Sequence, residues 1–239
     1  MHHIVLFSGG LDSTAILNHV AKRYGAENVT ALNIKYGSVQ NPRERRAAER
    51  VLKHLGVQGM GITLPTEIFK GAGSALMGER EIPDEEYRTD GPQPTIVPFR
   101  NGTFLSVAAA IGFRYDVCEV WLAVHADDAS GWAYPDCTPD FLDAMAEAIH
   151  VASLGEVRLV APFQYMTKAE IVGQAYNEDA PLELSYSCYK GGRYHCGVCA
   201  TCVDRHYAFN RAGFKDPTIY EAPLKESANL HDWKSGLND

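Results

Sequence analysis

Short, unbroken apolar runs alternate along this chain with longer stretches in which apolar residues recur every three or four positions. "HIVLF" is the first such run. It ends at a glycine pair and reads as a buried parallel strand. Asp12 to Tyr24 follows as a helix, with Ala15, Ile16, His19 and Val20 on one face. "VTALNI" (29–34) is a second strand. "NPRERRAAERVLKHLG" is a helix in which Asn41 caps, Pro42 holds the first helical position and Gly56 follows the end. "GMGIT" (59–63) is a third strand.

The alternation lapses over about 65–98, where Pro, Gly and acidic residues occur with no period. So long a stretch inside a compact domain is expected to be a lid or a partner contact; a disordered surface insertion is the alternative. The alternation then resumes. A helix is predicted over 101–115, a strand over 119–124, a helix over 139–154 and a strand over 156–163. "TKAEIVGQAYNE" opens a helix with Thr167 and Glu170 in capping-box spacing. A last helix, "VDRHYAFNRAG", ends near Gly213. Strand and helix in turn predict an α/β chain with a doubly wound parallel sheet. Its 239 residues are read as one domain, 1–239, with a lid-like insertion at about 65–98 and a cysteine region at about 185–213.

Composition narrows the function classes. The hydrophobic share of 46% is enough for a real core, and no run approaches a membrane span. A net charge of −8 opposes an extended nucleic-acid-binding surface, though not a small basic pocket. The chain opens directly on apolar "HHIVLF" with no charged leader, so a cytoplasmic location is expected. There six cysteines are not expected to form disulfides, and their clustering needs a metal or catalytic explanation.

"LFSGGLDSTAIL" (6–17) lies between the first strand and the first helix. A glycine pair there turns backbone amides towards an anion, and the helix N-terminus adds partial positive charge. Ser8, Ser13 and Thr14 supply hydroxyls, and the lysine of a Walker loop is missing. Asp12 would repel phosphates directly, so it is expected to hold Mg²⁺. Such a cradle suits a pyrophosphate that will leave, which implies attack at the α-phosphorus of a nucleotide and an adenylate product.

"SCYKGGRYHCGVCATC" gathers Cys188, Cys196, Cys199 and Cys202. Cysteines two residues apart around a glycine form a knuckle that points both sulfurs at one ion, and four thiolates close a tetrahedron. Structural Zn²⁺ is expected at these four, with an iron–sulfur cluster as a competitor on spacing alone. His195 is expected to be a bystander, and Cys118 a core residue.

"SGGLDST" resembles the pyrophosphate loop of the N-type ATP pyrophosphatases. That resemblance implies a Rossmann-like, adenine nucleotide alpha hydrolase-like fold. It also implies ATP contacts along Phe7, Ser8, Gly9, Gly10, Leu11, Asp12, Ser13, Thr14, Ala15, Ile16 and Leu17. The chain from about 3 to 213 resembles the QueC family, which forms preQ0. The matching pieces are "FSGGLDST", "VPFRNG" (97–102), "YPDC" (134–137), "PF" with "TKAEIV" (162–163, 167–172), and "SCYKG…CGVCATC" with Arg205.

In those pieces Arg100 offers a fork to a carboxylate or phosphate, and Asn101 caps a helix or reads a base edge. Asp136 and Tyr134 are candidates for recognising a deazaguanine edge and face. Asp127 or Asp128 is a second candidate for Mg²⁺, Cys137 reads as a small buried side chain, and His125 as a hydrogen-bonded structural histidine. Lys168, in the first turn of a helix, can reach an α-phosphate as charge builds. The expected catalytic set is Asp12, Ser13, Lys168 and Arg100.

The family commonly shows Tyr-Gly-Gln-Arg-His after the second strand, and this chain has "YGSVQN" (36–41), with Arg43, Arg45 or Arg46 as possible replacements for the lost charge. The resemblance implies ATP-dependent conversion of 7-carboxy-7-deazaguanine and ammonia to 7-cyano-7-deazaguanine (preQ0), through an adenylated acid and an adenylated amide, by a homodimer. The altered loop keeps open a relative that stops at the amide or conjugates a deazaguanine to a macromolecule. A tRNA sulfur-transfer enzyme and a non-catalytic zinc interaction module are the remaining alternatives.

Overall fold

Val5 and Phe7 face one side of the first strand, Ile4 and Leu6 face the other, and all four are buried. A strand apolar on both faces needs helices on both. The computed structural model, which describes residues 1–84, 93–130 and 133–224, supplies them. Five strands, β1 (His2–Leu6), β2 (Val29–Lys35), β3 (Gln58–Thr63), β4 (Cys118–Trp121) and β5 (Val157–Val160), form one sheet in the order β3-β2-β1-β4-β5. Every pairing is parallel.

The long helices are α1 (Leu11–Tyr24), α2 (Asn41–Leu55), α3 (Arg100–Gly112), α5 (Pro139–Ala152), α6 (Lys168–Asn177) and α7 (Ala200–Ala212); α4 (Ala126–Ala129) is a single turn. Leu11, Ile16, Val51, Val172 and Phe209, from α1, α2, α6 and α7, cover one face. Leu105, Ala108, Leu142 and Ile149, from α3 and α5, cover the other. This is the expected doubly wound sheet. The chain winds outward from β1 to β3 and returns to β4 beside β1. The crevice beyond the carboxyl ends of β1 and β4 is therefore the switch point where such folds bind ligands. Among the described residues no helix is long and apolar enough to cross a membrane.

The predicted boundaries hold where local chemistry sets them. Thr167 Oγ accepts from the Glu170 amide at 3.3 Å, and Glu170 Oε2 accepts from the Thr167 amide at 2.7 Å. Gly56 and Gly213 end α2 and α7 in the left-handed conformation. Other boundaries move: β4 and β5 end three residues earlier than expected, α3 runs from Arg100 to Gly112, and two shifts bear on named residues. α2 begins at Asn41 itself, with Gln40 in the cap position, so Asn41 is not the cap. α7 begins at Ala200 rather than near 203, which places Cys202 inside the helix and Cys199 at its cap position.

The insertion carries its own small core. Phe69, Leu76 and Val97 are buried with Tyr36, and Leu64, Met77, Ile82, Phe104 and Tyr189 pack against them. Residues 85–92 of that stretch, and Trp132, lie outside the described residues.

Gly9 joins the strand–helix turn to α2. Its φ is +94°, and an added Cβ would lie 2.7 Å from Glu44 O and 2.8 Å from Ala48 N. Gly9→Ala is expected to lower stability by about 2 kcal/mol or more, from backbone strain together with overpacking. Chemical denaturation measures this; an unchanged midpoint would contradict the close packing of the loop on α2.

Candidate active site and metal centre

The turn after β1 is held by its own hydroxyls. Ser8 Oγ accepts from the Gly10 amide at 3.1 Å, and Ser13 Oγ accepts from the Gly9 amide at 3.2 Å. No side chain caps α1 at Gly10, so the first amides of that helix have no intrahelical partner. Thr14 Oγ and Asp12 Oδ1 are buried with no hydrogen-bond partner among the described residues. The loop thus presents free donors suited to an anion, together with one orphaned carboxylate oxygen suited to a cation.

Asp12 is not isolated. Its Oδ2 lies 3.8 Å from Lys168 Nζ and 3.9 Å from His125 Nε2. Lys168 Nζ also contacts Asp204 Oδ2 from α7. His125 Nε2 is 3.3 Å from Asp128 Oδ2. Loop 8–12, the loop after β4, the start of α6 and the first turns of α7 therefore meet at one buried ionic cluster. Burial alone would lower the Lys168 pKa; Asp12, Asp204 and Asp128 outweigh it and raise the pKa well above the usual lysine value. Lys168 stays charged. Burial raises the Asp128 pKa, against the pull of His125 and Lys168 and with the push of Asp12 and Asp204.

The two aspartates in "HADD" have separate work. Asp127 Oδ2 accepts from the Lys168 amide at 2.8 Å and so anchors the start of α6. Asp128 faces the cluster. His125 is 1% exposed, and among the described residues neither ring nitrogen has a hydrogen-bond partner. It is not the hydrogen-bonded structural histidine expected from sequence.

A second cluster surrounds Arg100. Its guanidinium reaches Tyr36 OH and Asn101 Oδ1, each at 3.5 Å, and its Nε has no partner. Burial opposes its charge, but Tyr36, Asp136 and Cys137 raise its pKa, so the cation persists. Asp136 Oδ2 accepts from the Asn101 amide at 2.8 Å. Asn101 Nδ2 donates to Asp136 O at 3.1 Å and to Cys137 Sγ at 3.3 Å. Asn101 thus ties the "YPDC" turn to α3. Tyr134 is buried, with its hydroxyl 2.6 Å from Thr95 Oγ, and burial pushes its pKa up to about 12. Burial also raises the Cys137 pKa well above normal, in keeping with a packed side chain. Asp128 links the clusters: its charge is felt at Tyr134 and Cys137 as well as at Lys168, and its carbonyl accepts from the Tyr134 amide at 3.0 Å.

The Sγ atoms of Cys188, Cys196, Cys199 and Cys202 lie within 4.8 Å of one another. Bonds of about 2.3 Å from a tetrahedral ion place its sulfurs roughly 3.8 Å apart, close to the 3.9 Å between Cys196 and Cys202. The spacing fits one metal ion rather than a cluster. Amides of Val198 and Cys199 donate to Cys196 Sγ at 3.4 and 3.3 Å, the knuckle anticipated from the spacing. His195 stands aside. Its Nε2 accepts from the Ser187 amide at 3.0 Å, and burial lowers its pKa to about 4.

Arg205 is 1% exposed and donates to Ser185, Ser187, Thr218 and the Leu182 carbonyl. It fastens the segment before Cys188 to α7. In the "YGSVQN" loop, Val39 is exposed, while Ser38 and Gln40 are buried with unpartnered side-chain oxygens. Of the nearby arginines, Arg43 acts on Tyr186, next to the cysteines, whereas Arg45 pairs with Glu49 at the surface. Sequence reasoning missed Asp204, Thr95 and the place of His125. No motif marks them; only the meeting of α6 with α7, and of the insertion with "YPDC", brings them in.

Residues 2–213 match the family described as "Queuosine biosynthesis protein QueC". A 7-cyano-7-deazaguanine synthase of Brucella anthropi is 35% identical over 223 residues, covering 92% of this chain and 94% of the relative. One from Allorhizobium ampelinum is 36% identical over 225 residues, with 93% and 94% covered. One from Brucella ovis is 37% identical over 223 residues, with 92% and 94% covered. The solved NMN synthetase from Francisella tularensis aligns with a TM-score of 0.49 at 15% identity, covering 90% of this chain and 78% of that one.

The raised pKa of Asp128 has a consequence for stability. Above its ordinary value of 3.8 the unfolded carboxyl ionises more readily than the folded one. Asp128 therefore costs stability as the pH rises from 3.8 through the folded pKa. The groups facing it are His125, Lys168, Asp12 and Asp204. Asp128→Asn is expected to raise the denaturant midpoint at pH 7, with the gain fading as the pH falls through the folded pKa towards 3.8 and absent below it. A variant less stable than the parent at pH 7 would show that the attraction to His125 and Lys168 wins over burial.

Proposed function

This chain belongs to the QueC family of queuosine biosynthesis proteins, and on that footing we propose that it converts 7-carboxy-7-deazaguanine and ammonia to 7-cyano-7-deazaguanine (preQ0), using ATP twice. The observation that carries the reading is the pairing of two ends through Asp128. One is a phosphate-loop end with Asp12 and Lys168; the other holds Arg100, a cation with an unused donor.

In this reading the uncapped first amides of α1 and the hydroxyls of Ser8, Ser13 and Thr14 hold the β- and γ-phosphates of ATP. The orphaned Asp12 Oδ1 fits Mg²⁺, which when bound would neutralise phosphate charge. Lys168 offsets the charge that builds at the α-phosphate. Arg100 forks onto the substrate carboxylate, with Asp136 and Tyr134 at the deazaguanine ring. The carboxylate oxygen attacks the α-phosphorus, and pyrophosphate leaves. Ammonia displaces AMP from the acyl-adenylate to form the amide. The amide oxygen then attacks a second ATP, and loss of AMP with the remaining N–H proton leaves the nitrile. Both activations place an oxygen of the same carbon at the same phosphorus, so one site serves both.

The four cysteines hold a structural Zn²⁺ that fixes α7 and, through it, Asp204 beside Lys168. The protein works as a cytoplasmic homodimer. The insertion excludes water from the adenylates; Asp84 within it pairs with Lys190 of the cysteine loop.

Two experiments test this. Zinc-loaded protein, 7-carboxy-7-deazaguanine, ammonium and Mg·ATP are expected to give the nitrile mass together with AMP. A persistent amide, or no turnover, would move the reading to a relative that stops at the amide or uses another acceptor. Lys190→Ala removes this tie between the insertion and the cysteine loop and is expected to raise AMP released per nitrile by about twofold; unchanged coupling would remove the role of this contact in excluding water.

A further inference from the structure

We propose that Asp128 is the base that receives ammonium and frees ammonia for attack on the acyl-adenylate, with His125 as the positioning residue that holds its carboxylate. This rests on the function proposed above. The acyl-adenylate must span the site, with its phosphate at Asp12 and Lys168 and its ring at Arg100, Asp136 and Tyr134. The carbonyl carbon then lies between the two ends. Asp128 stands between them: its Oδ2 lies 3.3 Å from His125 Nε2, which is 3.9 Å from Asp12 Oδ2, and its backbone carbonyl accepts from the Tyr134 amide at 3.0 Å. Asp127, its neighbour, is committed to the Lys168 amide.

The surroundings favour a small cation. Asp12, Asp128 and Asp204 stand around one ammonium group, that of Lys168. Asp204 pairs with Lys168 and Asp12 fits Mg²⁺, which leaves Asp128 as the carboxylate of this cluster committed to neither, and a free ammonium ion complements it. Asp128 Oδ2 lies 3.3 Å from His125 Nε2, within ion-pairing distance, and the imidazole is 1% exposed, so its place is fixed by the core.

The step balances as follows. Ammonium gives one proton to the Asp128 carboxylate. The freed lone pair forms the C–N bond. The C–O bond to phosphate breaks, and its electron pair leaves with AMP. The second proton passes from nitrogen to the departing phosphate oxygen. The products are the amide, protonated Asp128 and AMP as its monoanion.

Asp128→Asn tests this in the full-length, zinc-loaded protein. Three readouts are compared: acid-dependent exchange of labelled pyrophosphate into ATP, amide formation with ammonium, and hydroxamate formation with hydroxylamine. Hydroxylamine is uncharged near neutral pH and needs no base to release its lone pair. The variant is expected to lose amide formation by about 100-fold or more, the scale of a general base. Hydroxamate formation should fall at least about tenfold less than amide formation, exchange should remain measurable, and Asp128→Glu should recover part of the amide rate. His125→Gln is expected to lower kcat for amide formation about tenfold with little change in the KM for ATP. Equal losses of amide and hydroxamate, or no loss of amide, would overturn the assignment of Asp128. Absence of acid-dependent exchange in the unaltered protein would instead overturn the proposed function, and this inference with it.

Discussion

A lysine ammonium buried against three carboxylates ties this molecule together. Lys168 is 6% exposed. A charge that deep is tolerable only if its partners are placed for it, and removing the ammonium would leave the carboxylates around it uncompensated. The partners come from separate parts of the chain: Asp12 from the turn after β1, Asp128 from the loop after β4, and Asp204 from α7. Asp127 completes the arrangement by anchoring the Lys168 backbone. The ionic cluster and the ligand-binding end of the sheet are therefore one object.

The topology explains why the cluster sits there. β1 and β4 are neighbours in the sheet but are separated in sequence by β2 and β3. Their following loops diverge, and the opening between them admits a ligand. The four cysteines serve the same end from a distance. Cys199 starts α7 and Cys202 lies in its first turn, so an ion held by the sulfurs would also fix the direction in which Asp204 points. Arg205, bonded to Ser185 and Ser187, reinforces that join from within the core. The insertion closes another side, with Thr95 against Tyr134 and Asp84 against Lys190. A long irregular segment can remain ordered when it buries its own apolar residues, as Phe69, Leu76 and Val97 do here.

The loop "YGSVQN" is where this chain departs from its family's common pattern. Tyr36 keeps its place against Arg100, and Gly37 keeps a left-handed φ of +90° with Thr66 packed close to it. Uncharged Ser38 and Gln40 point buried oxygens with no partner, while Val39 faces solvent. The family's charged side chains have no direct replacement in those positions. Arg43, one turn into α2, is the arginine that acts towards the cysteine loop.

The sequence by itself determined whatever rests on local chemistry or short spacing. Apolar runs marked the strands, the Thr167–Glu170 box and the glycines at 56 and 213 marked helix ends, and Cys196-Gly-Val-Cys199 marked the knuckle. The glycine pair and hydroxyls of loop 8–14 marked the turn after β1 for the same reason: its hydrogen bonds lie within one turn of chain. Tertiary structure alone decided what depends on contacts between distant segments. It placed Asp204 on Lys168, separated the tasks of Asp127 and Asp128, left His125 without a hydrogen bond, and folded the insertion onto Tyr36. Such contacts leave no period in the sequence, because a buried charge selects its partners by position in space and not by distance along the chain.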